Sequence, residues 1–337
     1  MKIKMNILIW VLLTSAHSVH ALDVIAHRGA SGQLPEHSLV AVAFAHAAGA
    51  NYIEQDVVLS RDGVAIVLHD IHLDTTTDVA SKFPNRARSD GRYYAIDFDL
   101  AELKTLELHE RVNLQSNQQV YPARFPLKHL GLRIPTLAEE IELIQGLNQS
   151  TGKTVGIYPE IKAPQWHRSQ GLDISKKVLV VLNKYGYTEH NQPIYLQCFD
   201  AKELKRIRYK LGSKLKLVQL IGENDWQESD TDYDRLKTSE GMGEIAKYAD
   251  GIGPWWNQLI DDNKKVSAIV GFAKHHKLTI HPFTFRADEL PQWADSYQAW
   301  LILFIDTVKV DGLFTDFPVQ TLQIIKQTNN AKLATKP

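Results

Sequence analysis

The segment YIEQDVV at residues 52–58 is an apolar, β-branched run that carries two carboxylates at alternate positions, Glu54 and Asp56. Side chains at positions i and i+2 of a strand point to the same face, so a strand here directs both carboxylates the same way. An isolated E-x-D is usually the exposed face of an edge strand. Here Ile53 and Val57 indicate a buried central strand, where a carboxylate is costly unless it is paired or bound to a metal ion.

Seven further short runs rich in apolar and β-branched residues lie along the chain, and stretches with helical periodicity separate most of them. The strand-like runs cover residues 23–27, 155–161, 194–199, 215–221, 251–253, 278–285 and 312–315. The helical stretches include residues 38–48, 137–147, 175–184, 201–211, 244–249 and 268–276. This alternation predicts an α/β fold with a parallel sheet, and eight strands predict closure into a (β/α)8 TIM-type barrel. An open doubly wound sheet is the alternative, but it normally begins with a glycine-rich turn that this sequence lacks.

One region breaks the alternation. Residues 70–135 are polar and irregular, and residues 82–92 are dense in basic and turn-forming residues. We expect an inserted small subdomain here, between the second and third barrel strands, because structureless loops of this length are rare in compact domains. The sequence therefore predicts a barrel domain over residues 22–326, and its Gln-, Asn- and Lys-rich end predicts a flexible tail over residues 327–337.

The bulk composition excludes two classes of partner. The chain has 337 residues, a net charge of -1 and an isoelectric point near 6.9. It therefore lacks the basic footprint of a nucleic-acid-binding protein, and we expect no stable association with a membrane through bulk charge. The single cysteine, Cys198, lies within an apolar run and can form no internal disulfide, so we interpret it as a small buried hydrophobe.

The first 21 residues predict a secretory signal peptide. Lys2 and Lys4 precede an apolar run at residues 7–13, and small residues at Val19 and Ala21 predict cleavage after Ala21. An uncleaved membrane anchor is disfavoured because a bilayer span needs about 20 apolar residues. We therefore expect an exported protein.

Other charged side chains also stand at strand ends. Glu160 and Lys162 share a face of the third strand, and His27 and Arg28 end the first. His69 follows an apolar run at residues 64–68, which a turn at residues 60–63 connects back to the second strand. Because the active site of a (β/α)8 barrel lies at the carboxyl ends of its strands, we expect these side chains to meet there.

Three converging carboxylates, Glu54, Asp56 and Glu160, predict a divalent metal site, since without a cation at least one of them would hold a proton. Oxygen ligands suit Ca²⁺ and Mg²⁺, and export favours Ca²⁺. Zinc is disfavoured because the sequence has no Cys/His cluster. For Glu160 and Lys162 the alternative is a purely structural ion pair.

The remaining side chains suit an anionic phosphodiester. His27 and His69 are candidates for the proton donor and acceptor, because imidazole titrates closest to neutral pH. His72 could replace His69, although the apolar run before His69 favours the latter. Arg28 and Lys162 supply the local positive charge that binds phosphate oxygens.

At these residues the chain resembles the bacterial periplasmic glycerophosphodiester phosphodiesterases. The resemblance rests on eight stretches that follow one another along nearly the whole chain after residue 21, namely AHRGASGQLPEHS, YIEQDVVLSRDGVAIVLHD, RSDGRYYAIDF, TGKTVGIYPEIKAPQWH, YLQCFDAKELKRI, YADGIGP, HPFTFR and DGLFTDFP. It implies hydrolysis of deacylated phospholipid headgroups to sn-glycerol 3-phosphate and an alcohol, with calcium as cofactor, in glycerol and lipid metabolism.

The resemblance also assigns roles to positions. It implies that His27 and His69 are the acid/base pair, and that Phe199 is a wall of the glycerol pocket. The metal ligands that it implies are Glu54, Asp56 and Glu160, and the implied phosphate contacts are Arg28 and Lys162. Relatives imply a homodimer.

Two other functions remain open at this point. A phospholipase D-like or phosphoinositide-cleaving enzyme would act on intact lipids, but it needs an interfacial surface that the insertion does not predict. An exported solute-binding protein on a disused catalytic barrel would have lost a motif residue, and all seven catalytic, metal and phosphate positions are present. The sequence leaves open the headgroup preference and whether water or the glycerol hydroxyl attacks phosphorus.

Overall fold

The computed structural model describes residues 22–127, 130–261 and 263–334. The predicted signal peptide at residues 1–21 and the chain end at residues 335–337 lie outside the described residues.

Eleven strands form in the described part of the chain. They are β1 (Asp23–Ala26), β2 (Tyr52–Leu59), β3 (Ala65–Val67), β4 (Val112–Asn113), β5 (Gln118–Gln119), β6 (Gly156–Ile161), β7 (Tyr195–Cys198), β8 (Lys216–Ile221), β9 (Gly251–Pro254), β10 (Thr279–Ile280) and β11 (Gly312–Thr315). Eight of them run parallel in the order β10-β9-β8-β7-β6-β2-β1-β11.

Helices follow most of these strands. They are α1 (Leu39–Ala48), α2 (Val79–Lys82), α3 (Leu100–Leu103), α4 (Leu137–Thr151), α5 (Pro164–Ser169), α6 (Ile174–Lys184), α7 (Ala201–Tyr209), α8 (Tyr233–Leu236), α9 (Ser239–Ile245), α10 (Ala268–His275), α11 (Tyr297–Ile302) and α12 (Pro318–Ala334). Short 3₁₀ turns lie at Ala95–Asp97, Asn224–Trp226 and Trp256–Gln258, and a π-helical segment, Leu303–Val308, continues α11.

The sheet closes almost completely. Backbone bonds continue past β10, since Phe314 N donates to Pro282 O at 3.0 Å and Phe285 N donates to Phe314 O at 2.8 Å. Regular strand geometry ends at Ile280, short of the predicted 278–285, because proline at 282 has no N–H to donate. The predicted α/β class and (β/α)8 barrel are confirmed.

The segment between the second and third barrel strands carries the insertion. β3 returns antiparallel along β2, with Val57 paired to Val67, as expected for the residues before His69. Apolar residues between positions 73 and 108 of the inserted segment, together with Ile134, form a cluster with Val58 of β2 and Ile66 of β3. This cluster holds Leu73, Phe98 and Leu103, all without solvent exposure, so the insertion is anchored to the barrel.

The predictions for α9 and for the end of the chain differ most from the structure. The helix expected at 244–249 is α9, which begins earlier because the Thr238 hydroxyl caps it by accepting from Gly241 N at 3.1 Å. α12 extends to Ala334, so residues 327–334 are helical where the composition predicted a flexible tail. Lys, Gln and Ala are good helix formers, and this polar run continues a helix whose first half is anchored by buried Thr321 and Ile324. None of the helices in the described ranges is long and apolar enough to cross a bilayer.

The barrel interior has an apolar floor, which we call the aromatic layer. It is formed by Ile25, Tyr158, Tyr195, Val218 and Phe314. The Tyr158 and Tyr195 rings stack at 4.9 Å between centroids, and the Tyr158 hydroxyl lies 3.0 Å from Nδ1 of buried His281. This layer fills the barrel below the carboxyl ends of the strands.

Candidate active site

All eight residues singled out from the sequence line one cavity of about 150 Å³ at the carboxyl ends of the barrel strands. They are His27, Arg28, Glu54, Asp56, His69, Glu160, Lys162 and Phe199. His27, Glu54 and Glu160 stand two residues beyond Ile25, Tyr52 and Tyr158 of the barrel floor, so strand alternation brings them to the cavity. Asp56 and Lys162 follow two residues later on the same faces. We call the charged members of this set the charged layer.

The register between β2 and β6 brings opposite charges together. Asp56 pairs with Glu160 across the two strands. Lys162 Nζ lies 2.9 Å from Glu160 Oε1 and 3.6 Å from Asp56 Oδ1. The ion pair considered as an alternative for Glu160 and Lys162 is therefore present, and it lies inside the cavity beside Asp56.

The three carboxyl groups of the cavity differ in pKa, although all three are buried. Burial, together with the charge of Asp56, raises the pKa of Glu54 well above its usual range. Burial likewise raises the pKa of Glu160 to about 8, although Lys162 opposes this. Asp56 is buried too, but Lys162, His69, His37 and Arg28 outweigh the burial and hold its pKa well below the usual range. The carboxylates cannot all be ionised at low cost without a further cation.

A group that could hold a metal ion lies at the centre of this layer. His37, Glu54 and Asp56 each offer one ligand atom, all within 4.8 Å of one another, and all three side chains are buried. Glu160 is outside this group because its carboxylate turns to Lys162. The donor set, rich in carboxylate oxygen, fits a hard divalent cation.

His37 was not among the residues predicted from the sequence, although it lies within the stretch AHRGASGQLPEHS. Its Nε2 lies 2.9 Å from Asp56 Oδ2, and its backbone has a positive φ of 59°. A left-handed conformation is costly for a residue with a Cβ, and such residues cluster at functional sites. His37 therefore orients Asp56 or joins it as a ligand.

The turn after β1 places Arg28 against both carboxylates of β2. Arg28 also has a positive φ, 56°, and its N–H donates to Glu54 Oε2 at 2.7 Å. Its Nε lies 3.3 Å from Asp56 Oδ2. Gly29 follows with a φ of 79°, and a Cβ there would lie 2.9 Å from the backbone of Ala41 in α1, so only glycine fits.

Each candidate acid/base histidine is held by an aspartate. His27 Nδ1 lies 2.6 Å from Asp316 Oδ1, and His69 Nδ1 lies 2.6 Å from Asp70 Oδ1. Such a contact fixes the tautomer and leaves Nε2 to exchange protons. Burial and the charge of Arg28 lower the pKa of both imidazoles to about 4 despite these aspartates.

Part of the cavity lining is apolar. Phe199, Leu220, Trp226 and Phe283 form this apolar wall, and Phe199 meets Phe283 edge to face at 5.8 Å. Gln197 also lines the cavity, and its buried Oε1 has no hydrogen-bond partner among the described residues. The wall can contact a small carbon skeleton while the amide oxygen accepts from a hydroxyl group.

A second cavity of about 190 Å³ adjoins the first, and we call it the insertion-side cavity. It shares His27, Arg28 and His69 with the first cavity, so the two histidines stand between the two spaces. Its other wall comes from the inserted segment through Arg111, Tyr121 and Arg124. None of these three was singled out from the sequence, because they lie in a polar region without periodicity.

The barrel, a carboxylate group suited to a metal ion and two aspartate-held histidines define a hydrolase of the TIM-barrel class with a site for an anionic substrate. Residues 27–320 match the glycerophosphoryl diester phosphodiesterase family. The chain belongs to that family, and it is an enzyme of the phosphoric diester hydrolase class.

Relatives extend over almost the whole chain. A glycerophosphodiester phosphodiesterase of Haemophilus influenzae is 44% identical over 325 residues, which cover 90% of this chain and 89% of the relative. One of Treponema pallidum is 39% identical over 317 residues, covering 88% and 89%. These relatives support hydrolysis of glycerophosphodiesters as the activity.

Solved structures show the same fold. A protein of Silicibacter pomeroyi has a TM-score of 0.72 at 22% identity and covers 92% of this chain and 95% of its own. An Oleispira antarctica phosphodiesterase, solved in complex with the product sn-glycerol-3-phosphate, has a TM-score of 0.59 at 22% identity, covering 90% and 96%.

Proposed function

We propose that this enzyme hydrolyses glycerophosphodiesters to sn-glycerol 3-phosphate and an alcohol, with a divalent ion, Ca²⁺ or Mg²⁺, as cofactor. One observation carries the proposal: two histidines, each held through Nδ1 by an aspartate, face the same cavity. This cavity is also lined by three carboxylate side chains and by the cationic side chains of Arg28 and Lys162. An acid, a base and a phosphate-binding charge are thereby brought together around one small volume.

The substrate binds between unlike surfaces. Arg28 and Lys162 contact the phosphate oxygens, because both are cations that line the cavity, Lys162 buried and Arg28 mostly so. The glycerol carbons lie against Phe199 and the apolar wall, and a glycerol hydroxyl donates to Gln197 Oε1. The second ester oxygen then points towards the insertion-side cavity, where the leaving alcohol has room.

Glu54 and Asp56 would hold the divalent ion, and His37 orients Asp56 through its Nε2 contact. Glu160, the third predicted ligand, would join them only by turning its carboxylate away from Lys162. When bound, the ion neutralises charge on the phosphate oxygens and stabilises the charge that develops there. A cation there would also offset the burial and the charge of Asp56, which raise the pKa of Glu54 and Glu160.

The two histidines move the protons. One imidazole accepts a proton at Nε2 from the attacking hydroxyl. The attacker is water, or it is the neighbouring glycerol hydroxyl, in which case a cyclic phosphate forms and water then opens it to glycerol 3-phosphate. The other donates a proton from Nε2 to the leaving alkoxide. Asp70 and Asp316 stabilise the imidazolium form of each histidine, and the negative charge of the bound diester does the same, which offsets the low pKa of the free histidines.

We further propose that the enzyme works in the periplasm after cleavage behind Ala21. The support is the charged start, the apolar run at residues 7–13 and the small residues before the cleavage position. Mass spectrometry of the exported protein should give Leu22 as the first residue, whereas a retained residue 1 in the purified protein would contradict export by this route.

The activity is tested with purified protein comprising residues 22–337 and glycerophosphocholine. We expect release of glycerol 3-phosphate, loss of release in EDTA, and recovery when Ca²⁺ or Mg²⁺ is added back. No release with either metal would contradict the proposal. Vesicles of intact phosphatidylcholine are the matched control, because cleavage of the lipid in preference to glycerophosphocholine would favour the phospholipase D-like alternative.

A further inference from the structure

The inserted segment places one arginine behind each histidine–aspartate pair. On the His69 side, Asp70 Oδ1 contacts His69 Nδ1, and Asp70 Oδ2 lies 2.6 Å from Arg111 Nη1. Arg111 continues to Glu36, with Nη2 2.6 Å from Oε1 and Nε 3.1 Å from Oε2. Glu36 in turn lies 3.1 Å from Nη1 of Arg28, the proposed phosphate contact. Contacts between charged side chains therefore connect the inserted segment to His69 through Asp70 and to Arg28 through Glu36.

The His27 side repeats the arrangement. Asp316 Oδ1 contacts His27 Nδ1, and Asp316 Oδ2 lies 2.7 Å from Arg124 Nη2. Arg124 is fixed from behind by Asp288, with Nε 2.8 Å from Oδ2. Its guanidinium also covers the Tyr121 ring at 3.7 Å. In both pairs one carboxylate oxygen holds the imidazole and the other holds an arginine.

One hairpin carries both arginines. Arg111 directly precedes β4, and Arg124 follows β5, its antiparallel partner. Val120 N donates to Arg111 O at 2.8 Å, which ties the two ends of the hairpin together. Both arginines are largely buried, with exposed side-chain fractions of 18% and 5%. This hairpin is thus placed to act on both histidines at once.

We propose that Arg111 and Arg124 are positioning residues through which the inserted segment fixes the two proton-transferring histidines, so that the barrel alone does not form a complete active site. A carboxylate held at both oxygens cannot rotate, and an imidazole bound to it keeps its ring plane and its tautomer. The inference rests on the proposed acid/base roles of His27 and His69.

The two aspartates differ in the number of cationic side chains that hold them. Asp316 Oδ2 also receives Arg286 Nε at 3.0 Å, a contact from the barrel. Asp70 Oδ2 has, besides Arg111, the neutral hydroxyl of Thr75 at 3.0 Å. Loss of Arg111 leaves Asp70 without a cation on that oxygen, whereas loss of Arg124 leaves Asp316 with Arg286. The larger effect is therefore expected at Arg111.

The test compares Arg111→Met and Arg124→Met with wild type on glycerophosphocholine. We expect kcat to fall by about 10- to 100-fold for Arg111→Met, as is typical when a supporting partner of a reactive group is removed, and by less for Arg124→Met. KM should stay within about twofold, and Arg111→Lys should recover part of the loss because an ammonium group can still reach Asp70. The matched control is Arg88→Met, an insertion arginine that holds Asp97 through two bonds of 2.7 Å and contacts the barrel at Gln170, and its kcat should be unchanged.

A second substrate separates positioning from general damage. Glycerol 4-nitrophenyl phosphodiester has a leaving group that needs no proton. For the variant whose arginine supports the general-acid histidine, the fall in kcat should therefore be smaller with this substrate. For the variant whose arginine supports the general-base histidine, the fall in kcat should persist. Equal losses on both substrates for both variants, or a higher KM with unchanged kcat, would overturn the positioning role. Failure of wild type itself to hydrolyse either diester would instead overturn the proposed function.

Discussion

Along β6, Tyr158 belongs to the aromatic layer, and Glu160, two residues further, belongs to the charged layer. Both side chains are buried, yet their surroundings are opposite. The Tyr158 ring contacts Tyr195 and Phe314, and its hydroxyl has His281 as a partner. Glu160 lies beside Lys162 and Asp56, and burial raises its pKa to about 8. The same strands therefore build a satisfied layer that stabilises the barrel and an electrostatically strained layer above it that suits an ion and a diester.

The largest effects should come from the histidines that border the charged layer. His27→Ala or His69→Ala should lower kcat for glycerophosphocholine by about 10²- to 10⁴-fold, the usual contribution of an acid or base group. Release of glycerol 3-phosphate measures this, with circular dichroism as a check of folding. Near-wild-type turnover in either variant would remove that histidine from the mechanism.

Calcium should stabilise the protein through the charged layer. At a Ca²⁺ concentration of 100 times its Kd, the free energy of unfolding should rise by about 2.7 kcal/mol, since the ion binds the folded state. Thermal unfolding with and without Ca²⁺ measures the effect. An Asp56→Asn variant is the control and should show a much smaller shift, whereas an equal shift would locate the ion elsewhere.

A smaller loss of stability without loss of activity is expected in the aromatic layer. Tyr158→Phe removes the hydroxyl that faces His281 Nδ1 and should lower the free energy of unfolding by about 1–3 kcal/mol, because a buried polar atom loses its partner. Urea unfolding gives this value, and kcat measured below the transition should match wild type. A fall in kcat would show that the two layers are not separable.

The smallest effect concerns pH. The pKa of Glu160 is about 8 in the folded protein and near 4.5 in the unfolded chain. Protonation of Glu160 therefore stabilises the metal-free protein fully below about pH 4.5, and this contribution is lost as the pH rises through about 8. Ca²⁺ must displace such protons, so its affinity should increase by about fivefold from pH 7 to pH 8. Calorimetric titration at both pH values measures it. An affinity that is independent of pH would mean that the carboxylates are already ionised without the metal.

The features that could be predicted from the sequence are those that depend on a local pattern of residues. Alternation in residues 52–58 located Glu54 and Asp56 on one face, and the turn before residue 64 placed His69 over the same cavity. Asp316 and His37 could not be predicted, because their contacts form only when the barrel closes and the loops fold. His27 and Asp316 are 289 positions apart and meet only when β11 pairs with β1. The stretch DGLFTDFP contained the one available signal for Asp316.

The insertion could be located from its sequence but not interpreted. A polar run without periodicity predicts an interruption of the barrel, but the contacts of its side chains depend on long-range folding. Arg111 reaches Glu36, 75 positions earlier, and Arg124 reaches Asp316, 192 positions later. No local pattern distinguishes these two arginines from Arg86 or Arg88, which pair within the inserted segment.

The most direct test of the account is Glu54→Gln, with activity and metal-free stability measured on the same preparation. Gln keeps an oxygen that can accept from Arg28 N–H but removes one of the buried, mutually repelling carboxylates. We expect loss of metal-dependent release of glycerol 3-phosphate together with an unfolding temperature in EDTA equal to or above that of wild type. Retained activity, or a clear drop in the metal-free unfolding temperature, would show that Glu54 serves the fold rather than the reaction.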